Sequence, residues 1–291
     1  MVLTMVPVAV VTDTTHYAPS EQIAEQGIHQ VSLYVNEGGT PVRESDIGDF
    51  GEFYDRLRTA TDLPTTSQPS IGDFLEVFEP LAAAGHDIVS VHLAGGISGT
   101  VESARQAADE LMKANPQRRV EVIDSRKACG ALAFCAYAGV AASRAGGDID
   151  AVAARVRETS EKVRLWFAVD TLEFLRRGGR IGAAQAWMGG ALKIKPILTV
   201  EGEITPIERV RTAGRAFERM VEFLRSQQAD GSDGWMVQHI QAHEQAERLV
   251  EAGREIFGSD PILVSEIGPV IGAHVGPGLL GVGGAPASLL R

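Results

Sequence analysis

The chain is predicted to be an α/β protein made of two α/β domains with largely parallel sheets. Two observations lead to this prediction. Short apolar runs alternate with amphipathic helical patterns along all 291 residues, which is the order expected of strand–helix units. Several of these runs are apolar at successive positions, as in strands that are buried on both faces.

The predicted strands are spread along the whole chain. They cover residues 6–13, 29–35, 87–93, 120–125, 164–170, 195–202, 234–241 and 260–267. Within residues 192–212, a strand, an "EGEI" turn and a second strand predict a hairpin. Apolar residues at the spacing of one helix face predict helices over 99–115, 212–226 and 243–257.

Capping and glycine signals place the remaining helix ends. A helix is predicted to begin near Ile71, with Ser70 as its N-cap. The segment "RAGGDIDA" (144–151) contains two glycines before a new helix that Asp148 or Asp150 would cap. This break predicts an N-terminal domain over 1–150 and a C-terminal domain over 151–291.

Composition excludes several classes of function. The net charge of −11 disfavours a nucleic-acid-binding role, since phosphate recognition requires clustered Lys and Arg. No apolar run approaches the roughly 20 residues of a membrane-spanning helix. The start of the chain resembles a first strand rather than a signal peptide. A cytoplasmic location is therefore expected, with Cys129 and Cys135 as buried free thiols.

Two polar segments are candidates for binding an anion. The run "PTTSQPS" (64–70) offers hydroxyl donors such as Thr66 and Ser67, or is a polar loop before a helix cap. The run "AGGISGT" (94–100) joins a strand to a helix N-terminus, where free N–H groups favour negative charge. Ser98 in this run is a cap, a ligand-binding residue or both. The run matches neither a dinucleotide fingerprint nor a Walker A loop.

Two further segments contain isolated polar side chains. In "DTLEFLRRGGRIG" (170–182), a helix is predicted to end at a Gly pair that is followed by Arg180. In "GPVIGAHVGPG" (268–278), four glycines and two prolines surround His274, the one titratable side chain. This stretch is either a tight turn or a constrained backbone segment that holds the His274 imidazole in one position. Spacings such as CxxC or HExxH are absent, so no metal site is predicted.

Taken in order, these segments resemble the DegV family. The resemblance runs from "VVTDTT" through "PTTSQPS", "ISGTVESA", "VIDS", "DTLEFLRRGGRI" and "LKIKPIL" to "GPVIGAHVGPGLLGV", and so covers essentially the whole chain. It implies two α/β domains with a long-chain fatty acid held between them. It also implies a lipid-binding subunit that has no catalytic activity and no cofactor of its own. Such a subunit presents the fatty acid carboxyl group to a separate ATP-using fatty acid kinase for acyl phosphate formation.

The resemblance also implies a set of site residues. Thr66 and Ser67, Ser98 and Gly99 with the N–H groups after Ser98, and His274 would bind the carboxylate, the imidazole by a direct hydrogen bond. Arg180 and Arg211 would lie at the ligand mouth or the kinase-docking face. Transient membrane contact is expected during lipid exchange. Candidate lining residues of an acyl tunnel, or else ordinary core, are Ile97, Phe167, Leu172, Trp187 and Met188.

The chain departs from the family pattern before the SGT turn, where many members have a Ser-Ser pair. Here these positions are Ala94 and Gly95, so one hydroxyl donor is expected to be missing from the pocket. Two other functions are compatible with the residues. One is an acyl hydrolase or transferase that uses Ser98 and His274, although no GxSxG elbow surrounds Ser98. The other is a regulatory module for a different small anion.

Overall fold

A computed structural model of the chain describes residues 7–188 and 194–291. Each of the eight predicted strands overlaps at least one strand of the structure. In chain order the strands are β1 (Ala9–Asp13), β2 (His29–Val31), β3 (Tyr34–Glu37), β4 (Thr40–Arg43), β5 (Thr65–Ser67), β6 (Ile88–His92), β7 (Val120–Asp124), β8 (Arg164–Ala168), β9 (Lys195–Val200), β10 (Ile204–Val210), β11 (Gly234–His239), β12 (Leu263–Glu266) and β13 (Leu280–Ala285).

The helices alternate with these strands, as predicted. They are α1 (Ser20–Gln26), α2 (Phe50–Thr59), α3 (Ile71–Ala83), α4 (Thr100–Ala114), α5 (Gly130–Arg144), α6 (Ile149–Lys162), α7 (Glu173–Arg177), α8 (Ala213–Ala229), α9 (His243–Phe257) and α10 (Pro269–Val275). Ser70 caps α3 in a reciprocal capping box with Asp73, and Asp148 caps α6. None of the described helices is long and apolar enough to cross a membrane.

The first half of the chain folds around a parallel sheet in the order β2-β1-β6-β7. Helices α3 and α4 pack together on the strands, and so do α5 and α6. The parallel pairing predicted for this half is confirmed. Helix α6 begins at Ile149 and packs against β6 and β7. A domain division near residue 150 stays a prediction.

The second half folds around a six-stranded sheet in the order β10-β9-β8-β13-β11-β12. Only the β11–β12 pair is parallel among its described strands, so the prediction of largely parallel pairing is wrong here. Strands β9 and β10 form the predicted hairpin, and a short turn forces antiparallel pairing. Strand β13 inserts antiparallel between β8 and β11. Its sequence "LGVGGA" gave no strand signal, because glycine weakens β propensity.

A small antiparallel sheet in the order β4-β3-β5 lies beside these two units. The single strand predicted over 29–35 is therefore wrong: it divides into β2 and β3. The break falls at Leu33, whose N–H donates to the Thr14 hydroxyl and whose carbonyl accepts from Glu44 N. The "TTS" run, interpreted as a loop, is the edge strand β5, in which Thr66 pairs with Val35.

Buried polar contacts tie the two halves together. The Lys127 side chain is almost fully buried and pairs with Glu201 in the β9–β10 turn. Gly202 in the same turn donates its N–H to the Arg126 carbonyl at 2.8 Å. The Tyr54 hydroxyl of α2 donates to the Ile267 carbonyl at 2.6 Å. These contacts fix the space between the halves in which the candidate site lies.

Candidate ligand-binding site

A cavity of about 240 Å³ lies between the three sheets. Its walls are mostly apolar and come from both halves of the chain. Leu93 and Ala128 contribute from the first half, and Leu165, Phe167 and Val200 from the second. A cavity with such walls favours an apolar ligand, since it removes apolar surface from water.

Two of the five candidate tunnel residues line the cavity. Ile97 and Phe167 line it. Leu172 is buried in the core and is not among the lining residues, and Trp187 and Met188 also lie outside the lining.

Most of the stretch 268–278 forms the helix α10, Pro269–Val275, rather than a loop. Pro269 occupies the first turn of α10, where its missing N–H costs nothing. Gly276, with φ at 75°, ends the helix, and Gly278 follows with φ at 91°. Gly272 has an ordinary φ, but a β-carbon there would collide with the Tyr54 hydroxyl of α2. The glycines therefore supply both unusual backbone angles and a close approach to α2.

His274 is held on the cavity side of α10. Its Nε2 lies 2.7 Å from the Thr66 hydroxyl of β5, and both residues line the cavity. The other ring nitrogen, Nδ1, is buried without a hydrogen-bond partner in the described part of the chain. The backbone of Gly178 packs directly against that nitrogen. The structure thus joins the "TTS" and "GPVIGAHVGPG" segments, which are 208 residues apart.

Burial lowers the pKa of His274 to about 4, and repulsion by the nearby Arg180 guanidinium adds to this shift. The ring is therefore neutral at pH 7 when no anion is bound. A neutral ring that carries its proton on Nε2 donates to the Thr66 oxygen. This tautomer leaves the Thr66 hydroxyl proton free for an acceptor inside the cavity.

Ser98 supplies a second hydroxyl to the cavity wall. Its oxygen lies 2.8 Å from the Thr100 hydroxyl and accepts from the Thr100 N–H at 3.3 Å. When Thr100 is the donor in both contacts, the Ser98 proton is free. The residue is therefore tied to the first turn of α4 and also faces the cavity. The N-cap of α4 is Gly99, so the cap role predicted for Ser98 is wrong, and the ligand-binding role is compatible with the geometry.

Ser98 and His274 do not form a nucleophile–base pair. His274 Nε2 is hydrogen-bonded to Thr66, and the Ser98 hydroxyl is hydrogen-bonded to Thr100. No hydrogen bond links Ser98 to His274 within the described ranges. A hydrolase or transferase that uses these two residues needs such a contact, so this alternative lacks its geometry.

The two predicted arginines lie in different surroundings. Arg180 lines the cavity with its side chain largely exposed. Its guanidinium donates to the Ile97 carbonyl at 3.3 Å and to the Gly178 carbonyl at 2.7 Å, so it spans both halves of the chain. Arg211 is exposed just after β10 and is not a lining residue. The structure therefore brings only Arg180 to the cavity.

The remaining predicted contacts are less direct. Ser67 lines the cavity. Gly99 is the N-cap of α4 and is not a lining residue, because the Gln68 amide packs against its α-carbon. Gln68 itself lines the cavity and donates to Ser103 at 3.3 Å. Sequence reasoning missed Gln68 as an individual site residue, although it follows the "TTS" run directly.

The departure at positions 94 and 95 does not affect the cavity wall. Ala94 is fully buried, donates its N–H to the Lys127 carbonyl and is not a lining residue. Gly95 is exposed and donates to Asp124. The expected loss of a hydroxyl donor from the pocket is therefore wrong for these positions, because neither one faces the cavity.

A buried carboxyl group anchors the N-terminus of α10. Glu44 accepts from the Thr14 and Tyr17 hydroxyls at 2.6 and 2.8 Å and from Val270 N at 2.8 Å. Complete burial raises the pKa of Glu44 to about 7. These contacts tie the helix that contains His274 to the first half of the chain.

The two cysteines are free and buried, as predicted. Cys129 lines the cavity, and burial raises the pKa of its thiol well above the usual range. Burial raises the pKa of Cys135 to about 12. Neither thiol is therefore a reactive thiolate at neutral pH. The described residues also include one His/Glu group with metal-ligand spacing, formed by His239, His243 and Glu266, which motif searches along the sequence missed.

The fold and the cavity define a class of protein: two α/β units that enclose an apolar cavity with a polar hydroxyl–imidazole cluster in its wall. The family model described as "Uncharacterised protein, DegV family" matches residues 7–287. The chain belongs to the DegV family. The resemblance drawn from the sequence motifs and the α/β fold class are thereby confirmed.

Solved and curated relatives agree with this assignment. A DegV domain-containing protein of Streptomyces coelicolor is 39% identical over 278 residues, which span 94% of this chain and 97% of the relative. The crystal structure of DegV from Bacillus subtilis, described as a fatty acid binding protein, has a TM-score of 0.87 at 34% identity, covering 97% of this chain and 99% of that one. A DegV family protein from Thermus thermophilus, described for its fatty acid binding, has a TM-score of 0.85 at 31% identity, with 96% and 99% coverage.

Proposed function

We propose that this protein binds a long-chain fatty acid and presents its carboxyl group to a separate fatty acid kinase for acyl phosphate formation. The observation that supports this proposal most strongly is the cavity itself, with apolar walls and the Thr66–His274 pair and Ser98 among its few polar residues. The solved relatives described as fatty acid binding proteins support the same ligand class.

The acyl chain supplies most of the driving force in this proposal. Burial of apolar surface contributes about 0.8 kcal/mol per CH₂ group, so a long chain gains far more than a short one. The carboxylate accepts from the Thr66 and Ser98 hydroxyls, and the His274 ring orients Thr66 from behind. Because His274 Nε2 is already engaged by Thr66, this arrangement replaces the direct imidazole contact expected from the sequence.

Arg180 and Arg211 are proposed to serve the kinase rather than the lipid. Arg180 is exposed and lines the cavity, where a partner that handles ATP would meet the carboxyl group. Guanidinium groups suit phosphate chemistry through paired N–H donors. The chain is proposed to need no cofactor of its own. Transient membrane contact would allow the lipid to enter and leave.

Titration calorimetry on delipidated protein tests the proposed ligand. Hexadecanoate should bind more tightly than hexadecanol by about 10-fold to 150-fold, since a hydrogen bond to a charged group contributes about 1.5–3 kcal/mol. Equal affinity for the two would show that the carboxyl group is not recognised. Failure of both to bind would exclude a lipid site.

The kinase step needs a separate assay. Lipid-loaded protein is incubated with ATP and the catalytic subunit of a bacterial fatty acid kinase, and acyl phosphate is trapped with hydroxylamine. Arg180→Ala should keep its lipid affinity and lose turnover. The control is Arg225→Ala, an exposed arginine on α8, which should match wild type. Loss of lipid affinity with full turnover in Arg180→Ala would reverse the assignment.

A further inference from the structure

Three potential metal ligands converge away from the lipid cavity. His239 ends β11 and Glu266 ends the adjacent parallel strand β12, where the two residues are register partners. His243 begins α9, four residues after His239. One ligand atom from each of the three side chains lies within 4.8 Å of the other two. The carboxyl edge of parallel strands is a common position for ligand sites in α/β proteins.

The three side chains differ in exposure, in a way that would let an ion enter the site from solvent. His239 is 6% exposed, and its Nδ1 is buried without a hydrogen-bond partner in the described parts of the chain. Such an orphaned polar atom is rare in proteins and requires an explanation. His243 is exposed and Glu266 is half-buried, so an ion can reach the group without any backbone movement.

We propose that His239, His243 and Glu266 form a binding site for a divalent transition-metal ion, with Zn²⁺ as the preferred ion. Two imidazoles and one carboxylate are a ligand set that Zn²⁺ uses when its fourth position is left open for water or another ligand. Imidazole ligands disfavour Mg²⁺ and Ca²⁺, which require oxygen. This proposal does not depend on the proposed fatty acid function.

The geometry needs only side-chain movement to close around an ion. Tetrahedral ligands about 2.0–2.1 Å from zinc stand about 3.4 Å from one another, so the group must contract by about an ångström. The exposed His243 side chain can make this movement. The His239 and His243 rings are already in contact, with centroids 4.5 Å apart in an edge-to-face arrangement.

A second layer of contacts orients the carboxylate. Gln241 donates its backbone N–H and its side-chain amide to the same Glu266 oxygen, at 3.0 and 2.7 Å. Gln241 has a φ of 51°, an uncommon value for a residue other than glycine. These two bonds hold one carboxylate oxygen and leave the other for a metal ion. Outer contacts of this kind tune metal affinity in characterised sites.

The charge at the site also favours a cation. The first turn of α9 has a partial positive charge of about half an elementary unit, which opposes a cation beside His243. Glu266 brings a full negative charge, and Glu244 adds another in the first turn of the helix. The acidic groups therefore outweigh the helix dipole.

The test uses tag-free protein that has been stripped with a chelator and titrated with ZnCl₂ in a calorimeter. One zinc ion should bind per chain and raise the melting temperature, while MgCl₂ should give neither effect. Replacement of the zinc with Co²⁺ should produce the visible absorption bands of a tetrahedral site.

Two variants locate the ion. His243→Ala and Glu266→Gln should each lower zinc affinity by about 100-fold or more, since even outer contacts cost 10-fold to 100-fold, and both should lose the cobalt bands. His29→Ala, which removes an exposed histidine from β2, is the matched control and should bind like wild type. Absence of stoichiometric zinc binding, or unchanged binding by His243→Ala, would overturn the proposal.

Discussion

The substitution Thr66→Val tests the core of the proposed carboxyl site. Valine keeps the shape and the β-branched fit of threonine in β5 but removes the hydroxyl. The 2.7 Å contact with His274 disappears, and with it the proton that Thr66 is proposed to offer to the carboxylate. The acyl part of the cavity is left unchanged, so only head-group recognition is affected.

The expected magnitude follows from the lost hydrogen bond. A hydrogen bond to a charged group contributes about 1.5–3 kcal/mol, so hexadecanoate affinity should fall by about 10-fold to 150-fold. Hexadecanol affinity should change much less, since no charge is involved. The free protein should also lose about 1–3 kcal/mol of stability, because the buried His274 ring then has no partner at either nitrogen.

Calorimetric titration of both lipids into wild type, Thr66→Val and Thr65→Val measures these effects. Thr65 is the matched control, since it is exposed on the same strand and does not line the cavity. Its substitution should leave both affinities unchanged. If Thr66→Val binds hexadecanoate with wild-type affinity while folding normally, the Thr66–His274 pair does not hold the head group.

Three further predictions concern helix α10 and the cavity wall. Gly272→Ala should destabilise the protein by about 1–3 kcal/mol, because its new methyl group meets the fully buried Tyr54. The control Gly214→Ala, in open space on α8, should be neutral or stabilising. Thermal unfolding of the two variants measures the difference. The pKa of His274 falls from 6.5 in the unfolded chain to about 4 in the folded protein. The neutral ring therefore contributes up to about 3 kcal/mol to the free energy of unfolding above pH 6.5, and this contribution is lost as the pH falls toward 4. The free energy of unfolding of lipid-free wild type and of His274→Gln, measured across this pH range, isolates that contribution. A difference between the two proteins that does not change with pH would contradict it. Gly281→Leu should place a side chain in the cavity and shorten the longest fatty acid that binds, measured by titration across chain lengths.

Much of the fold could be predicted because its signals are local. The helices α4, α8 and α9 have one apolar face at helical spacing, and their predicted and observed limits nearly coincide. The parallel strands β1, β6 and β7 are apolar at most positions because both faces of their sheet are covered. Capping by Ser70 and Asp148 depends on a few adjacent residues and was also visible.

The errors arise where distant residues decide the outcome. Strand β13 contains three glycines and becomes a strand because β8 and β11 pair with it on both sides. The "TTS" run becomes β5 because β3 offers its free edge. In both cases tertiary pairing overrides a weak local propensity.

The candidate site could likewise be predicted only in part from the sequence. Motif resemblance indicated Thr66, Ser98 and His274 as site residues, and all three line the same cavity. It could not indicate which groups are already hydrogen-bonded to each other, since Thr66 and His274 are 208 residues apart in the chain. The His239–His243 pair has a four-residue spacing visible in the sequence, but its third partner comes from another strand.

The central claim is that the cavity holds a fatty acid, and native mass spectrometry of tag-free protein purified from bacterial cells tests it most directly. A single adduct with the mass of a fatty acid of about 14 to 18 carbons is expected, since each methylene adds favourable burial. Delipidation should remove the adduct, and incubation with hexadecanoate should restore it. A protein that stays at its sequence mass, both as purified and after incubation with hexadecanoate, would contradict the account.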